Sequence, residues 1–220
     1  MTALGLALGV WLVVSAKLDL LARIRFFDGP WASLVRLRHL PRAVLGMTMA
    51  HMGLGFMVLA ITISESFTTE TLAVLTPGEG ADVGRYRFTL ERVDPVAGPN
   101  YAAVRAVVTV HRDARLVATL APEDRVYADP VMNTTEAGIA PLVIGDLYAV
   151  IGEAVGPVAE AGRWSMRFYF KPAISGLWLG AALMMVGGLL SLGDRRVRVG
   201  AAAARRADAM GGEKNGEGAA

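Results

Sequence analysis

The stretch Ala43–Ile63, AVLGMTMAHMGLGFMVLAITI, decides the class of protein to which this chain belongs. His51 is the only ionisable side chain in it. A helix needs about 20 mainly apolar residues to cross a hydrocarbon core that is about 30 Å thick. The stretch meets that requirement, and it predicts a membrane-spanning helix over residues 43–63.

Two further apolar stretches flank it along the chain. Ile174–Leu192 contains no ionisable residue and predicts a span over 172–193. Ala3–Ala16 is followed by Lys17 and Asp19, so a helix there must continue to about Ala22 in order to cross. The alternative of a secretory signal peptide requires basic residues before the apolar core, and only Met1 and Thr2 precede it. We expect a span over 1–22, with its natural beginning missing as a further alternative.

Arginines in the short connections set the orientation, because cytoplasmic loops are enriched in Lys and Arg. The connection 23–42 holds five arginines and one acidic residue, Asp28, and Arg195, Arg196 and Arg198 directly follow the last span. The sequence therefore predicts a cytoplasmic loop over 23–42 and a cytoplasmic tail over 194–220. The tail is low in complexity and is expected to be disordered. Residues 64–171 and the N-terminus then lie outside the cytoplasm.

The segment 64–171 alternates apolar and polar side chains with a period of two, which is typical of β-strands. The clearest example is residues 164–171, WSMRFYFK, in which Trp164, Met166, Phe168 and Phe170 share one face. Turn signals such as Pro77-Gly78-Glu79-Gly80 separate the runs. Closely spaced short strands predict one all-β domain, either a barrel or a sandwich.

Composition excludes several functions. The chain of 220 residues contains no cysteine, which excludes disulfides, thiolate metal sites and cysteine nucleophiles. The formal net charge is only +2, and the arginines lie beside apolar stretches instead of alternating with aromatic residues. We therefore expect no nucleic acid as a partner.

His51 is the main candidate for chemistry, because an ionisable residue inside a span is costly and marks a functional site by default. A neutral imidazole can ligate haem iron or another transition metal. The alternative is a hydrogen bond from His51 across a helix interface. Gly46, Ala50 and Gly53 lie nearby at helical spacing and leave room for either a flat cofactor or a close-packed helix.

Other candidates carry weaker signals. His39 and His111 are expected to be solvent-exposed, and Met184 and Met185 are expected to pack in their span. The acidic residues Glu123, Asp124 and Glu153 have no spacing that pairs them for acid–base catalysis.

An ordered set of short motifs over residues 3–198 resembles the C-terminal part of the CcmF-type cytochrome c biogenesis proteins, which act as haem lyase subunits. The set includes His51-Met52-Gly53-Leu54, Tyr86-Arg87-Phe88, Gly98-Pro99-Asn100-Tyr101, Thr135-Glu136-Ala137, Asp146-Leu147-Tyr148, Trp164-Ser165-Met166-Arg167, Tyr169-Phe170-Lys171-Pro172, Gly187-Gly188 and Asp194-Arg195-Arg196.

The resemblance implies that His51 is an axial ligand of an intramembrane haem b. That haem is shared with an N-terminal part of the lyase that carries the other ligand. It also implies a haem chaperone, apocytochrome c and a thiol-handling protein as partners. By the same resemblance, we expect a multi-pass protein of the bacterial inner membrane with its β domain in the periplasm. The tryptophan-rich segment and the two outward-facing histidines of the family have no match among these 220 residues. We therefore expect a fragment or a split-gene product that is inactive alone. The alternative is a non-catalytic, membrane-anchored periplasmic assembly module.

Overall fold

The structure is a computed structural model that describes residues 1–156 and 162–194. The predicted disordered tail, apart from Asp194, lies outside the described residues, and so do Arg195, Arg196 and Arg198. The chain divides into two compact units. One contains Met1–Leu59 and the residues from Gly176 onwards, and the other is Ala60–Ser175.

Four α-helices are found in the described part of the chain. Their bounds are α1 Thr2–Arg23, α2 Pro30–His39, α3 Arg42–Phe67 and α4 Ser175–Leu192, with a short 3₁₀ turn at Phe26–Asp28 before α2. α1, α3 and α4 are each long and apolar enough to cross a bilayer.

Two helix ends differ from the sequence-based boundaries. α3 continues beyond Ile63 to Phe67, because the polar residues that follow the apolar stretch do not break a helix. Thr68 Oγ1 then donates to the Ser64 carbonyl at 2.6 Å, where the last turn ends. α4 begins at Ser175 and not at Pro172, because Ala173 has φ +58°. A helix cannot continue through that left-handed conformation.

Glycines bring the three long helices close together. A Cβ added at Gly53 of α3 would lie 2.6 Å from the Gly180 carbonyl oxygen of α4. A Cβ added at Gly55 would lie 2.6 Å from Val13 Cγ2 of α1. Small residues allow helices in a membrane to approach closely where lipid offers no hydrophobic driving force for their association. α3 therefore packs against α4 with one face and against α1 with another.

The second unit is a β-sandwich of two antiparallel sheets, which confirms the predicted all-β domain and selects the sandwich over the barrel. One sheet has the order β1-β10-β9-β8, and the other has the order β2-β3-β4-β6-β7, with β5 paired to β4. The strands are β1 Thr69–Leu75, β2 Gly80–Val83, β3 Tyr86–Ala97, β4 Tyr101–Arg112, β5 Arg115–Leu120, β6 Glu123–Ala128, β7 Val131–Glu136, β8 Gly138–Leu142, β9 Gly145–Ala154 and β10 Trp164–Pro172.

The inner faces of the two sheets form one apolar core. Phe88 of β3 stacks on Phe168 of β10 with ring centroids 4.7 Å apart, and neither ring is exposed. Tyr86 and Phe170 form a second contact at 5.2 Å. The period-two pattern of β10 is confirmed, since Met166 and Phe168 are fully buried. Aromatic pairs of this kind add about 0.5–1.5 kcal/mol to the stabilisation that burial provides.

The first and last strands of the sandwich are neighbours. β1 pairs antiparallel with β10, with Thr69 opposite Phe170. At the end of the domain, Ser175 Oγ donates to the Leu142 carbonyl at 3.0 Å and lies 3.4 Å from Asp146 Oδ1. These bonds fix the β8–β9 turn to the residue at which α4 begins.

Candidate functional site

His51 lies near the middle of α3, and its ring nitrogen Nδ1 is 2.8 Å from the carbonyl oxygen of Met47. A carbonyl oxygen can only accept a hydrogen bond, so Nδ1 carries the proton and donates it. In the neutral imidazole the lone pair is then on Nε2, which has no hydrogen-bond partner among the described residues. The ring is held in the tautomer in which Nε2 can bind a metal ion.

An open groove lies beside His51, between α3 and α1. Its volume is about 200 Å³, and α1 contributes Ser15, Ala16 and Asp19 to its wall. Sites that enclose a drug-sized ligand have volumes of about 300–1,000 Å³. The groove can therefore receive the edge of a large flat ring but cannot enclose one.

The other polar side chains of this groove are already paired within their own helices. Thr48 Oγ1 donates to the Val44 carbonyl at 3.0 Å, and Ser15 Oγ donates to the Leu12 carbonyl at 3.2 Å. Asp19 is 2.7 Å from Arg23 Nε, one turn further along α1. Among the described residues that line the groove, His51 therefore keeps a ring nitrogen without a hydrogen-bond partner.

The small residues near His51 pack against α4. A Cβ added at Gly187 of α4 would lie 2.7 Å from the Ala50 backbone nitrogen, and Gly53 is equally close to α4. Met184 also belongs to this contact, because its Cγ would lie 2.9 Å from a Cβ at Gly53. Met185 is 62% exposed. The contacts of Ala50, Gly53 and Met184 indicate that the small side chains serve a close-packed helix and not a flat cofactor. Met185 takes no part in them.

His39 offers a close comparison. Its Nδ1 lies 2.8 Å from the Val35 carbonyl, which is the bond that His51 makes to Met47. His39 belongs to the short helix α2 and not to a span. His111 is half-buried on β4. The described residues contain no group of three or more His, Asp or Glu side chains that could hold a metal ion.

A charged cluster in the sandwich was missed by the sequence-based reasoning. Glu123 is 4% exposed, and its carboxylate accepts bonds from Arg125 Nε at 2.7 Å and from Arg105 Nε. The hydrogen bond from Arg125, and then that from Arg105, lowers the pKa of Glu123. Arg125 also lies over the ring of Tyr101, with its Cζ 4.8 Å from the centroid.

This cluster has the character of a structural ion pair. Arg105 lies directly opposite Glu123 in the β4–β6 register, and Arg125 follows Glu123 by two residues on the same face. The spacing of Glu123 and Arg125 is visible in the sequence, but the partner on β4 requires the register. All three charges are engaged with one another, so the cluster offers no unpaired acid or base.

Comparison with known proteins gives the family of the chain. Residues 66–172 match the family described as the CcmF C-terminal beta-sandwich. The cytochrome c-type biogenesis protein ccl1 of Rhodobacter capsulatus is 40% identical over 208 residues, which are 94% of this chain and 30% of that protein. The cytochrome c-type biogenesis protein CcmF of Escherichia coli is 34% identical over 198 residues, which are 90% of this chain and 28% of that protein.

A solved structure shows the same fold. The cytochrome c heme lyase CcmF matches with a TM-score of 0.59 and 22% identity, over 69% of this chain and 25% of that one. The chain thus spans about 30% of the length of its curated relatives. The sequence relatives, the β-sandwich and the three long apolar helices agree with one another. The chain therefore belongs to the CcmF family of cytochrome c biogenesis proteins, as a membrane protein that carries the C-terminal β-sandwich of that family.

Proposed function

We propose that this chain forms part of a membrane haem lyase for the maturation of c-type cytochromes, in which His51 supplies one axial ligand to an intramembrane b-type haem. The observation that carries the proposal is the state of the His51 ring. The bond from Nδ1 to Met47 leaves the Nε2 lone pair open inside an apolar helix. Histidines that bind metals are commonly fixed in this way through their other ring nitrogen.

The residues present fit a haem that is shared with another polypeptide. His51 is the only histidine in the three long helices of the described chain, so these helices offer one axial nitrogen. The groove of about 200 Å³ beside it accommodates only an edge of the ring. We propose that the N-terminal part of the lyase supplies the second ligand and the remaining walls. A haem with two axial histidines supplies one-electron redox chemistry when bound.

The described residues contribute the positioning of His51. Gly53 and Gly180 hold α3 against α4, and Gly55 holds α3 against α1, which fixes the direction in which His51 points. We propose that the sandwich lies in the periplasm and that the spans cross the bacterial inner membrane. There the sandwich serves the haem chaperone, apocytochrome c and its thiol-handling partner.

Absorption spectroscopy tests the role of His51. The full chain is co-expressed with the remainder of a CcmF-type protein, and the purified complex is expected to show the spectrum of a low-spin, six-coordinate haem. His51→Ala is expected to remove that spectrum. His39→Ala is the matched control, because His39 makes the same bond to its own helix but lies outside the spans. A His51→Ala complex with an unchanged spectrum would exclude His51 as the ligand.

A second candidate function is a non-catalytic assembly module, and the outer edge of the sandwich favours it. β7 ends its sheet, and Val131 and Met132 at its start are 81% and 51% exposed. An edge strand with exposed apolar side chains can pair with an extended segment of another protein. If the sandwich acts in this way, the His51→Ala chain still assembles with the lyase partners whether or not it holds haem.

A further inference from the structure

The short helix α2 packs Ser33 and Arg36 against the preceding backbone and leaves an apolar face exposed. Ser33 is 4% exposed, and its Oγ donates to the Arg25 carbonyl at 3.2 Å. Arg36 Nη1 donates to the carbonyls of Ile24 and Arg25 at 3.2 and 3.3 Å. These bonds hold one face of α2 against the backbone that follows α1.

The opposite face of α2 is apolar and exposed. Trp31, Leu34 and Val35 are 78%, 44% and 45% exposed, and they share one face because they are three or four residues apart. Arg38 lies one turn further along the same face and is also exposed. A helix in water would show the reverse arrangement, with its apolar side chains covered.

The position of α2 in the chain limits what can cover this face. α1 ends at Arg23, and α3 begins at Arg42, with only two residues between it and the end of α2. Both neighbours are long and apolar enough to span the bilayer. α2 is therefore confined to the membrane surface, at the end where α1 leaves the bilayer and α3 enters it.

A recess next to α2 has the same character. Its volume is about 680 Å³, and its walls include the apolar side chains of Leu18, Leu21, Phe26 and Phe27 together with Arg25 and Asp28. The Asp28 carboxylate is already paired, since it lies 3.5 Å from Arg36 Nη1. Phe27 is 93% exposed. Apolar walls beside a fixed positive charge suit an acyl chain attached to an anionic headgroup.

We infer that α2 lies in the plane of the membrane interface and binds anionic phospholipid. Trp31, Leu34 and Val35 enter the boundary between headgroups and acyl chains, and Arg38 contacts headgroup phosphates. Amphipathic helices of this kind bury their apolar face about 5–10 Å into that boundary. Anionic lipid complements this connection because it contains five arginines and one acidic residue over 23–42.

Spin labelling tests the inference in the full chain, which contains no cysteine that would compete for the label. Leu34→Cys carries a nitroxide in lipid nanodiscs, and its collisions with oxygen and with a water-soluble nickel chelate are measured. Two further positions calibrate the scale. Leu189→Cys, on an exposed position of α4, represents the acyl region, and Asp113→Cys, in the β4–β5 turn, represents water.

The label at Leu34 is expected to favour oxygen over the nickel chelate and to lie about 5–10 Å below the phosphates. Collisions equal to those at Asp113 would overturn the inference, because α2 would then be in water. Protection from both reagents would also overturn it, because protein would then cover the face. Leu34 is 44% exposed, so the substitution removes little packing and the chain is expected to fold normally.

The headgroup contact has its own test. The label at Leu34 is expected to lie deeper in nanodiscs of anionic phospholipid than in zwitterionic ones, and Arg38→Gln is expected to reduce that difference. An equal depth in both lipids for the labelled chain that retains Arg38 would overturn the anionic contact.

Discussion

The membrane helices and the β-sandwich are held together by opposite kinds of side chain. Contacts between α3 and its neighbours depend on glycines, where a single added carbon would collide with a carbonyl oxygen or a side chain. The sandwich depends on large side chains, such as the stacked and fully buried Phe88 and Phe168. Water drives the burial of large apolar side chains, whereas helices in lipid gain mainly from close approach.

The two units should therefore be sensitive to opposite changes. Removing atoms should damage the sandwich, and adding atoms should damage the helix contacts. Hydrogen exchange of the full chain in detergent follows both units in one sample, because protection of their amides reports local opening free energies.

The largest effect is expected in the sandwich core. Leu90 is completely buried, and Leu90→Ala should lower the free energy of unfolding of the sandwich by about 2–5 kcal/mol. Leu116 is 54% exposed on β5, and Leu116→Ala should change it by about 0.5 kcal/mol or less. Hydrogen exchange of the β3 and β10 amides measures the change in unfolding free energy in both variants. Equal losses in the two variants would contradict a core built on buried large side chains.

A smaller effect is expected where two adjacent glycines of α4 are compared. A Cβ at Gly187 would lie 2.5 Å from the Gly46 carbonyl oxygen, whereas a Cβ at Gly188 would meet no atom within 4 Å. Gly187→Ala should therefore weaken the α3–α4 contact by about 1–3 kcal/mol.

Gly188→Ala should leave that contact unchanged or strengthen α4, since alanine favours a helix by about 1 kcal/mol over glycine. Exchange of α3 and α4 amides, read separately from the sandwich, distinguishes the two variants. A Gly187→Ala chain as protected as the Gly188→Ala chain would show that close approach does not hold these helices.

The smallest effect is expected from Glu123, the buried charge of the sandwich. Its pKa is lowered by the bonds from Arg125 and Arg105, so its contribution to stability is fully present above its unfolded pKa of about 4.3. That contribution is lost as the pH falls through the lower folded pKa. Glu123→Gln should cost about 1 kcal/mol at pH 7, because both arginines are partly solvated.

Unfolding of the unaltered chain and of Glu123→Gln between pH 7 and pH 3 gives the measurement. The difference between the two chains should be constant near neutral pH and should shrink below about pH 4. A difference that does not change with pH would mean that the Glu123 charge does not contribute.

Local patterns in the sequence predicted most of the fold. Apolar length placed the three long helices, and the period-two pattern of β10 placed its buried face. Features that depend on contacts between distant residues were not accessible. The choice of sandwich over barrel required the pairing of strands, and the burial of Glu123 required the register that places Arg105 opposite it.

The candidate site shows the same division. The sequence places His51 in a span, but the Nδ1 bond to Met47 that leaves Nε2 open depends on the rotamer of the ring. The sequence also left open whether the small residues near His51 face a cofactor or a helix. The answer depends on which side of α3 the neighbouring helix occupies. The contact of Gly53 with Gly180 places α4 on the side of the small residues.

The pairing of β1 with β10 places the two ends of the sandwich side by side. Because Thr69 lies opposite Phe170, the two ends of the sandwich are about 5 Å apart across a strand pair. A loop of a few residues would bridge the same gap. Replacing residues 69–170 by such a loop would therefore leave the chain on either side of the sandwich at nearly the same separation.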